Sequence, residues 1–203
     1  MCIRDSDIAD VIVDAVAQVK AKNPNAIYAC DPVMGNAKSG CHVSDNIPPL
    51  LRDKVVPAAD LITPNQFELG YLTERDVTDL DSTLAAVDAA REMGPSTVLV
   101  TSVERPDAPE DVMEMIAVDD KGKWIVRTPR LPFKRNGSGD VTAALFTGHY
   151  LRGGDAADAL ARTASSVYDM LRLTHEADSQ ELKLVEAQDY YANPQLQFNV
   201  EAL

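Results

Sequence analysis

The sequence has few cysteines and no long apolar run. Its three cysteines (Cys2, Cys30 and Cys41) form no CxxC pair and no cluster with histidine, which disfavours a structural zinc site and a disulfide framework. No apolar run approaches the ~20 residues of a membrane-spanning helix. The first residues also lack the basic and apolar regions of a signal peptide. These absences predict a protein of a reducing compartment, the cytoplasm, with no membrane partner.

Basic and aromatic residues are also in short supply. Lys and Arg number 19 against 32 Asp and Glu, so the formal net charge is −13. A chain with this charge repels nucleic acid and anionic membrane surfaces, so no nucleic-acid partner is expected. Aromatic residues make up only 5% of a chain that is 45% hydrophobic, which predicts a mainly aliphatic core. The 203 residues suffice for one domain, residues 1–203.

Helical periodicity alternates with short apolar segments along the chain, and this alternation predicts an α/β fold with a mostly parallel central sheet. Ser6 is expected to cap the first helix and Asn23-Pro24 to end it. Strands are predicted at 26–30, 61–63 and 97–101, and a hairpin at 112–118 and 123–127. Helices are predicted at 8–22, 50–56, 66–72, 82–93, 140–151, 156–173 and 179–191.

The stretch RNGSGD, which precedes an apolar helix pattern, is the first candidate site. Gly137, Ser138 and Gly139 permit a tight turn, and the following helix offers unpaired N–H groups to a phosphate. Asp140 can be the cap of that helix, a structural role, or the base that accepts a proton in phosphoryl transfer. No GxxxxGK[ST] motif and no Ser-His-Asp pattern occurs.

Polar residues follow each predicted parallel strand, at the edge where α/β sheets bind ligands. Asp31 either ends its strand in an Asp-Pro turn or faces a ligand, and Lys38 in the loop behind it reaches a phosphate or points into water. Asn65 and Glu68 suit either a capping box or, with Thr63, an Mg²⁺ site. The third strand ends in hydroxyl groups, Thr101 and Ser102.

Four stretches occur in a fixed order: CDPVMG, KVVPAADLITPNQFEL, VLVTS and NGSGDVTAALF. Their order and wording resemble the pyridoxal kinase family of the ribokinase-like superfamily, from about residue 8 to the C-terminus. The resemblance implies a three-layer α/β/α sandwich. It also implies transfer of the ATP γ-phosphate to the 5′-hydroxyl of pyridoxal, pyridoxine or pyridoxamine, the salvage of vitamin B6 to pyridoxal 5′-phosphate.

The resemblance also assigns roles to residues. It implies that Asp140 is the catalytic base and contacts the substrate, and that Gly137, Ser138 and Gly139 form the anion hole. It implies ATP contacts at Asp31, Asn65, Glu68, Thr101 and Ser102. It implies metal ligands at Asp31, Thr63 and Glu68, with Mg²⁺ as the ATP partner, Zn²⁺ left open, and K⁺ near Asp31, Thr63 and Thr101.

Two departures from the family accompany this resemblance. Family members are longer at the N-terminus, so the chain is expected to be the C-terminal two-thirds of a kinase. On this hypothesis the first strands of the sheet are missing, residues 1–6 are a non-native flank, and the full-length form is a homodimer. In addition, Asn136 in NGSGD stands before the first glycine, where family members more usually have an apolar residue.

Two alternatives to a pyridoxal kinase remain at this point. A hydroxymethylpyrimidine kinase of the same superfamily shares DPVM, although it typically has Cys at the position of Asp140. A truncated nucleotide-binding fragment without turnover is the other alternative.

Overall fold

The structure is a computed structural model that describes residues 6–133 and 135–203. The chain separates into two compact units, Met1–Pro106 and Asp107–Leu203, and each is treated by itself. Residues 1–5, most of the predicted flank, lie outside the described residues, as does the side chain of Ser6, the predicted cap. The single domain stays a prediction. Within the described ranges, every helix is too short or too polar to cross a bilayer.

The first unit contains the predicted parallel sheet. Its central strand β4 (Leu61–Ile62) pairs in parallel with β1 (Ala29–Cys30) on one side and with β5 (Thr97–Val103) on the other. The interior residues of β5 are fully buried: Val98, Leu99 and Val100. Apolar side chains therefore point to both faces of this strand, as expected for a strand covered on both sides. The strands of this unit are β1 (Ala29–Cys30), β2 (Gly35–Asn36), β3 (Gly40–Cys41), β4 (Leu61–Ile62) and β5 (Thr97–Val103). The strands β2 and β3 form a small antiparallel hairpin that the sequence did not predict.

Helices of the first unit lie near their predicted positions. The first helix ends just before Asn23-Pro24, as expected. The predicted helix at 50–56 is part of a longer helical run that includes one π-helical turn. The helical elements are α1 (Ser6–Lys22), α2 (Ile47–Leu50), the π-helical turn (Leu51–Val55), α3 (Val56–Ala58), α4 (Gln66–Thr73) and α5 (Leu80–Glu92).

The second unit is built on antiparallel strands and two long helices. The predicted hairpin is confirmed as β6 (Val112–Asp119) and β7 (Gly122–Pro129). A third strand, β8 (Val200–Ala202), adds to the free side of β7 and was not predicted. Helices α6 (Ser138–Gly153) and α7 (Ala156–Glu176) pack against each other. Asp155 caps α7 by accepting hydrogen bonds from the N–H groups of Ala157 and Asp158.

The predicted helix at 179–191 is wrong. The segment consists of turns followed by one short helix, α8 (Gln188–Ala192). Thr174 accounts for part of this difference, because its backbone oxygen accepts from Ser179 N–H at 3.1 Å and its hydroxyl oxygen accepts from Lys183 N–H at 3.1 Å. In a helix over 179–191, the Lys183 N–H would instead donate to Ser179 O. The turns instead place Leu182 and Ala187 against α6 and α7.

Candidate active site

The glycine turn before α6 exposes backbone donors. Gly137 is the N-cap residue and has a φ of +88°, a left-handed conformation that favours glycine. The first helical hydrogen bond runs from Val141 N–H to Gly137 O at 3.0 Å. The N–H groups of Ser138, Gly139 and Asp140 precede that bond, so they have no partner within the helix. Together with the positive end of the helix dipole, they form a cradle for an anion.

Asp140 lies in the first turn of α6, and its side chain is exposed. The alternative in which it caps the helix is wrong, because Gly137 occupies the N-cap and no side chain makes a capping hydrogen bond there. No residue within 6–133 or 135–203 donates a hydrogen bond to its carboxylate. The carboxylate therefore stands beside the backbone cradle without a structural task of its own.

A stacked group of side chains ties the residues before the glycine turn to the end of α7. The rings of Phe133 and His175 stack at 5.0 Å, and the guanidinium of Arg135 lies over Phe133 at 5.1 Å. Arg135 also donates from Nε to the backbone oxygen of Ser179 at 2.8 Å. A Cβ added to Gly137 would lie 3.4 Å from Leu182 Cδ1, so the turn packs directly on this segment. The stacking of Phe133 on His175 was not predicted, because the two residues are far apart in the sequence.

In the first unit, Asp31 and Thr63 meet at the carboxyl ends of neighbouring strands. Asp31 follows β1, Thr63 follows β4, and the Thr63 hydroxyl donates to Asp31 Oδ1 at 3.0 Å. The parallel register pairs Cys30 with Ile62, which places the two side chains side by side. This contact confirms the prediction that the polar residues at the carboxyl ends of these two strands lie together.

Asn65 and Glu68 form the capping box that the spacing allowed. Asn65 Oδ1 accepts from Glu68 N–H at 2.9 Å, and Glu68 Oε2 accepts from Asn65 N–H at 2.9 Å. The same two side chains also form hydrogen bonds with the loop after β1. Glu68 Oε1 accepts from Met34 N–H at 2.8 Å and from Gly35 N–H at 3.3 Å. Asn65 Nδ2 donates to Gly35 O at 2.8 Å.

The Glu68 carboxyl is buried, with only 4% of the residue exposed. Burial raises its pKa above the usual value, and the hydrogen bonds from the backbone N–H groups of Asn65, Met34 and Gly35 oppose that shift. The negative charge of Asp31 raises the pKa further. Three of the four lone-pair positions of this carboxylate are therefore already used by the backbone.

The metal-ligand assignment of Asp31, Thr63 and Glu68 stays a prediction. Their donor atoms are all oxygen, which suits Mg²⁺ or K⁺ better than a soft metal. Across the described residues, no group of three or more His, Cys, Asp or Glu side chains is placed to hold a metal ion. A bound cation would therefore need oxygen donors from the nucleotide or from water, and Glu68 fits that role less well than Asp31.

Thr101 and Ser102 lie at the end of β5. Thr101 N–H donates to Pro64 O at 3.0 Å, and Thr101 forms an isolated parallel bridge with Asn65, so this strand end adjoins the capping box. Ser102 is exposed and has a φ of +53°, a strained conformation for a residue other than glycine. Lys38 is also exposed, which is compatible with both alternatives for that residue.

Replacing Ser102 with glycine is expected to raise the free energy of unfolding by ~1 kcal/mol, because glycine adopts a positive φ without strain. Denaturant unfolding measures this change. Ser44→Gly is the matched control, since Ser44 is an exposed loop serine outside the set of positive-φ residues. The Ser44→Gly variant is expected to lose ~0.5 kcal/mol of unfolding free energy, because glycine has more conformational freedom than serine in the unfolded chain. Equal losses in both variants would show that Ser102 is not strained.

Comparison with known proteins adds a family and a fold. The family model described as phosphomethylpyrimidine kinase matches residues 3–184. The pyridoxal kinase PdxY of Corynebacterium diphtheriae is 69% identical over 198 residues, which cover 98% of this chain and 70% of that protein. The pyridoxal kinase PdxY of Leifsonia xyli subsp. xyli is 70% identical over 193 residues, covering 95% of this chain and 68% of that protein.

Solved structures confirm the α/β fold. The pyridoxal kinase of Leishmania donovani in complex with ADP and pyridoxine superposes with a TM-score of 0.89 at 24% identity, covering 100% of this chain and 72% of that chain. The pyridoxal kinase of Entamoeba histolytica gives a TM-score of 0.88 at 20% identity, covering 100% of this chain and 71% of that chain. At these identities the likeness concerns the fold alone.

Proposed function

The chain belongs to the pyridoxal kinases of the phosphomethylpyrimidine kinase family, and from this premise we propose that it transfers the γ-phosphate of ATP to the 5′-hydroxyl of a B6 vitamer. Pyridoxal, pyridoxine and pyridoxamine are the proposed acceptors, and pyridoxal 5′-phosphate is the product formed from pyridoxal. The observation that carries this proposal is the pairing of an exposed carboxylate, Asp140, with backbone donors left open at the start of α6.

The proposed reaction uses these groups in a definite way. The 5′-hydroxyl oxygen attacks the γ-phosphorus, the bond to the ADP oxygen breaks, and Asp140 accepts the hydroxyl proton. The N–H groups at Ser138 and Gly139 hold the phosphoryl oxygens as charge develops on them. Asp140 has no described hydrogen-bond donor of its own, so its carboxylate is available for the substrate hydroxyl. Accepting the proton requires a carboxylate, and holding the phosphoryl oxygens requires open backbone N–H groups. The turn before α6 has both.

The first unit supplies the proposed nucleotide contacts. We assign them to Asp31, Asn65, Glu68, Thr101 and Ser102, which lie at or beside the carboxyl ends of β1, β4 and β5. A magnesium ion bound with ATP would neutralise phosphate charge, and Asp31 with Thr63 offers oxygen donors for it. K⁺ is proposed beside Asp31, Thr63 and Thr101 on the family resemblance.

Two further proposals rest on the sequence. The protein is proposed to act in the cytoplasm, and the small number of cysteines and the absence of CxxC pairs support this location. Assembly as a homodimer is supported by the family resemblance alone. Sedimentation of the purified protein tests the second of these.

Phosphorylation of hydroxymethylpyrimidine is the second candidate, favoured by the description of the matching family model. The two functions separate in a competition assay with equal concentrations of pyridoxal and hydroxymethylpyrimidine, MgATP and K⁺. We expect pyridoxal 5′-phosphate as the main product, because Asp140 fits the pyridoxal kinase motif. Phosphorylated pyrimidine as the main product would reverse the order of the two candidates. ADP binding without either product would support the nucleotide-binding fragment.

A further inference from the structure

The loop that follows β1 is held in place by hydrogen bonds with Asn65 and Glu68 at the start of helix α4. The residues Gly35–Cys41, here called the β2–β3 hairpin, include two strands of only two residues each. A hairpin this short is not stable by itself. Contacts from outside the hairpin must therefore fix its position.

Glu68 and Asn65 provide those contacts. Glu68 Oε1 accepts from Met34 N–H at 2.8 Å and from Gly35 N–H at 3.3 Å, and Asn65 Nδ2 donates to Gly35 O at 2.8 Å. Both backbone groups of Gly35 are thus bound to α4 residues. Met34 O accepts from His42 N–H at 2.7 Å, which passes the constraint to the other end of the hairpin.

The two strands of the hairpin lie in close contact with each other. A Cβ added at Gly35 would lie 2.1 Å from Gly40 O, so the two strands cross at close contact. Inside the hairpin, Asn36 Oδ1 accepts from Lys38 N–H at 3.0 Å and from Ser39 N–H at 3.2 Å. The tip is therefore a fixed turn, and its position follows from the position of Gly35.

We propose that Glu68 is a positioning residue, whose buried carboxylate fixes the β2–β3 hairpin at the carboxyl end of β1, where it borders the nucleotide. This inference deepens the proposed function and rests on it for the nucleotide. It replaces the roles of metal ligand and of direct ATP contact for Glu68, because three backbone N–H groups already occupy the carboxylate. No described cation pairs with Glu68, so its charge is balanced by backbone donors.

Glu68→Gln tests the anchor without changing the size of the side chain. A glutamine amide group would turn an N–H donor towards backbone N–H groups, so at least one hydrogen bond to Met34 or Asn65 is lost. Hydrogen exchange of the apo protein is the primary measurement. We expect the segment 34–42 to exchange about tenfold faster, the change expected for one lost buried hydrogen bond.

Asn65→Ser is the second variant, and it keeps the helix cap. Serine caps the N-terminus of α4, but its side chain is too short to reach Gly35 O, so a smaller increase in exchange at 34–42 is expected. Asp79→Ala is the matched control. Asp79 forms a capping box with Ser82 at the start of α5, and it makes no hydrogen bond to the hairpin. This control should lower overall stability and leave exchange at 34–42 within twofold of the wild type, after correction for global unfolding.

Steady-state kinetics with ATP, pyridoxal and varied Mg²⁺ give the second readout. The positioning role predicts a rise in the KM for ATP of about tenfold in Glu68→Gln, with the Mg²⁺ requirement unchanged. Unchanged exchange at 34–42 would overturn the anchor, and recovery of activity at high Mg²⁺ would restore the metal-ligand role. Faster exchange with an unchanged KM would also overturn the positioning role. If the wild type forms no product, the proposed function fails, and exchange alone still decides whether Glu68 holds the hairpin.

Discussion

Replacing Asp140 with asparagine is expected to slow the formation of pyridoxal 5′-phosphate by ~10²–10⁴-fold, the usual contribution of a general base. The amide keeps the shape of the side chain but cannot accept the hydroxyl proton. The KM values for ATP and pyridoxal should change little, since the lost interaction belongs to the transition state. Initial rates at saturating substrate measure the effect.

Asp81→Asn is the matched control for this variant. Asp81 is also an exposed aspartate in the first turn of a helix, α5, so both substitutions remove one negative charge from a helix N-terminus. Each is expected to cost up to ~1 kcal/mol of stability. Only Asp140→Asn should lose activity. Equal rates in Asp140→Asn and the wild type would remove Asp140 from the reaction.

Replacing Gly139 with alanine is expected to slow phosphoryl transfer by ~10²-fold or more, as loss of one anion-hole donor does elsewhere. Helical Cβ atoms point towards the N-terminus, so the new methyl group would occupy the space in front of the open N–H groups. A Cβ at Gly139 meets no heavy atom within 4 Å, and the protein should therefore fold normally.

Gly148→Ala separates this effect from helix stability. Gly148 lies in the same helix α6 and also has open space around an added Cβ. Both alanine variants should gain up to ~1 kcal/mol of stability, because alanine favours the helix more than glycine does. Gly148→Ala should keep full activity. An active Gly139→Ala would contradict the assignment of the anion hole.

The sequence predicted the elements whose signals are local. The helix α4 begins directly after Asn65 and contains Glu68, and the spacing of these two residues encodes both halves of the capping box. The hairpin of β6 and β7 is marked by β-branched residues on either side of a polar turn. The parallel strands β1, β4 and β5 are short apolar runs that end in polar residues, and this pattern also located the candidate nucleotide contacts.

The remaining features depend on tertiary contacts. The strand β8 has only three residues, and its pairing with β7 supplies most of its definition. In the turns after α7, Thr174 accepts hydrogen bonds from the N–H groups of Ser179 and Lys183, and helical periodicity does not encode these contacts. The sequence also left the role of Glu68 open between a cap and a metal ligand. Its contacts to Met34 and Gly35 become visible only in the folded chain.

The most direct test of the account is transfer of a labelled γ-phosphate from ATP to pyridoxal by the purified protein, with MgATP and K⁺. We expect label in pyridoxal 5′-phosphate, formed in equal amount with ADP, and at least ~10²-fold less label with the Asp140→Asn variant. Absence of labelled pyridoxal 5′-phosphate from the wild-type reaction would contradict the account, as would equal labelling by the Asp140→Asn variant.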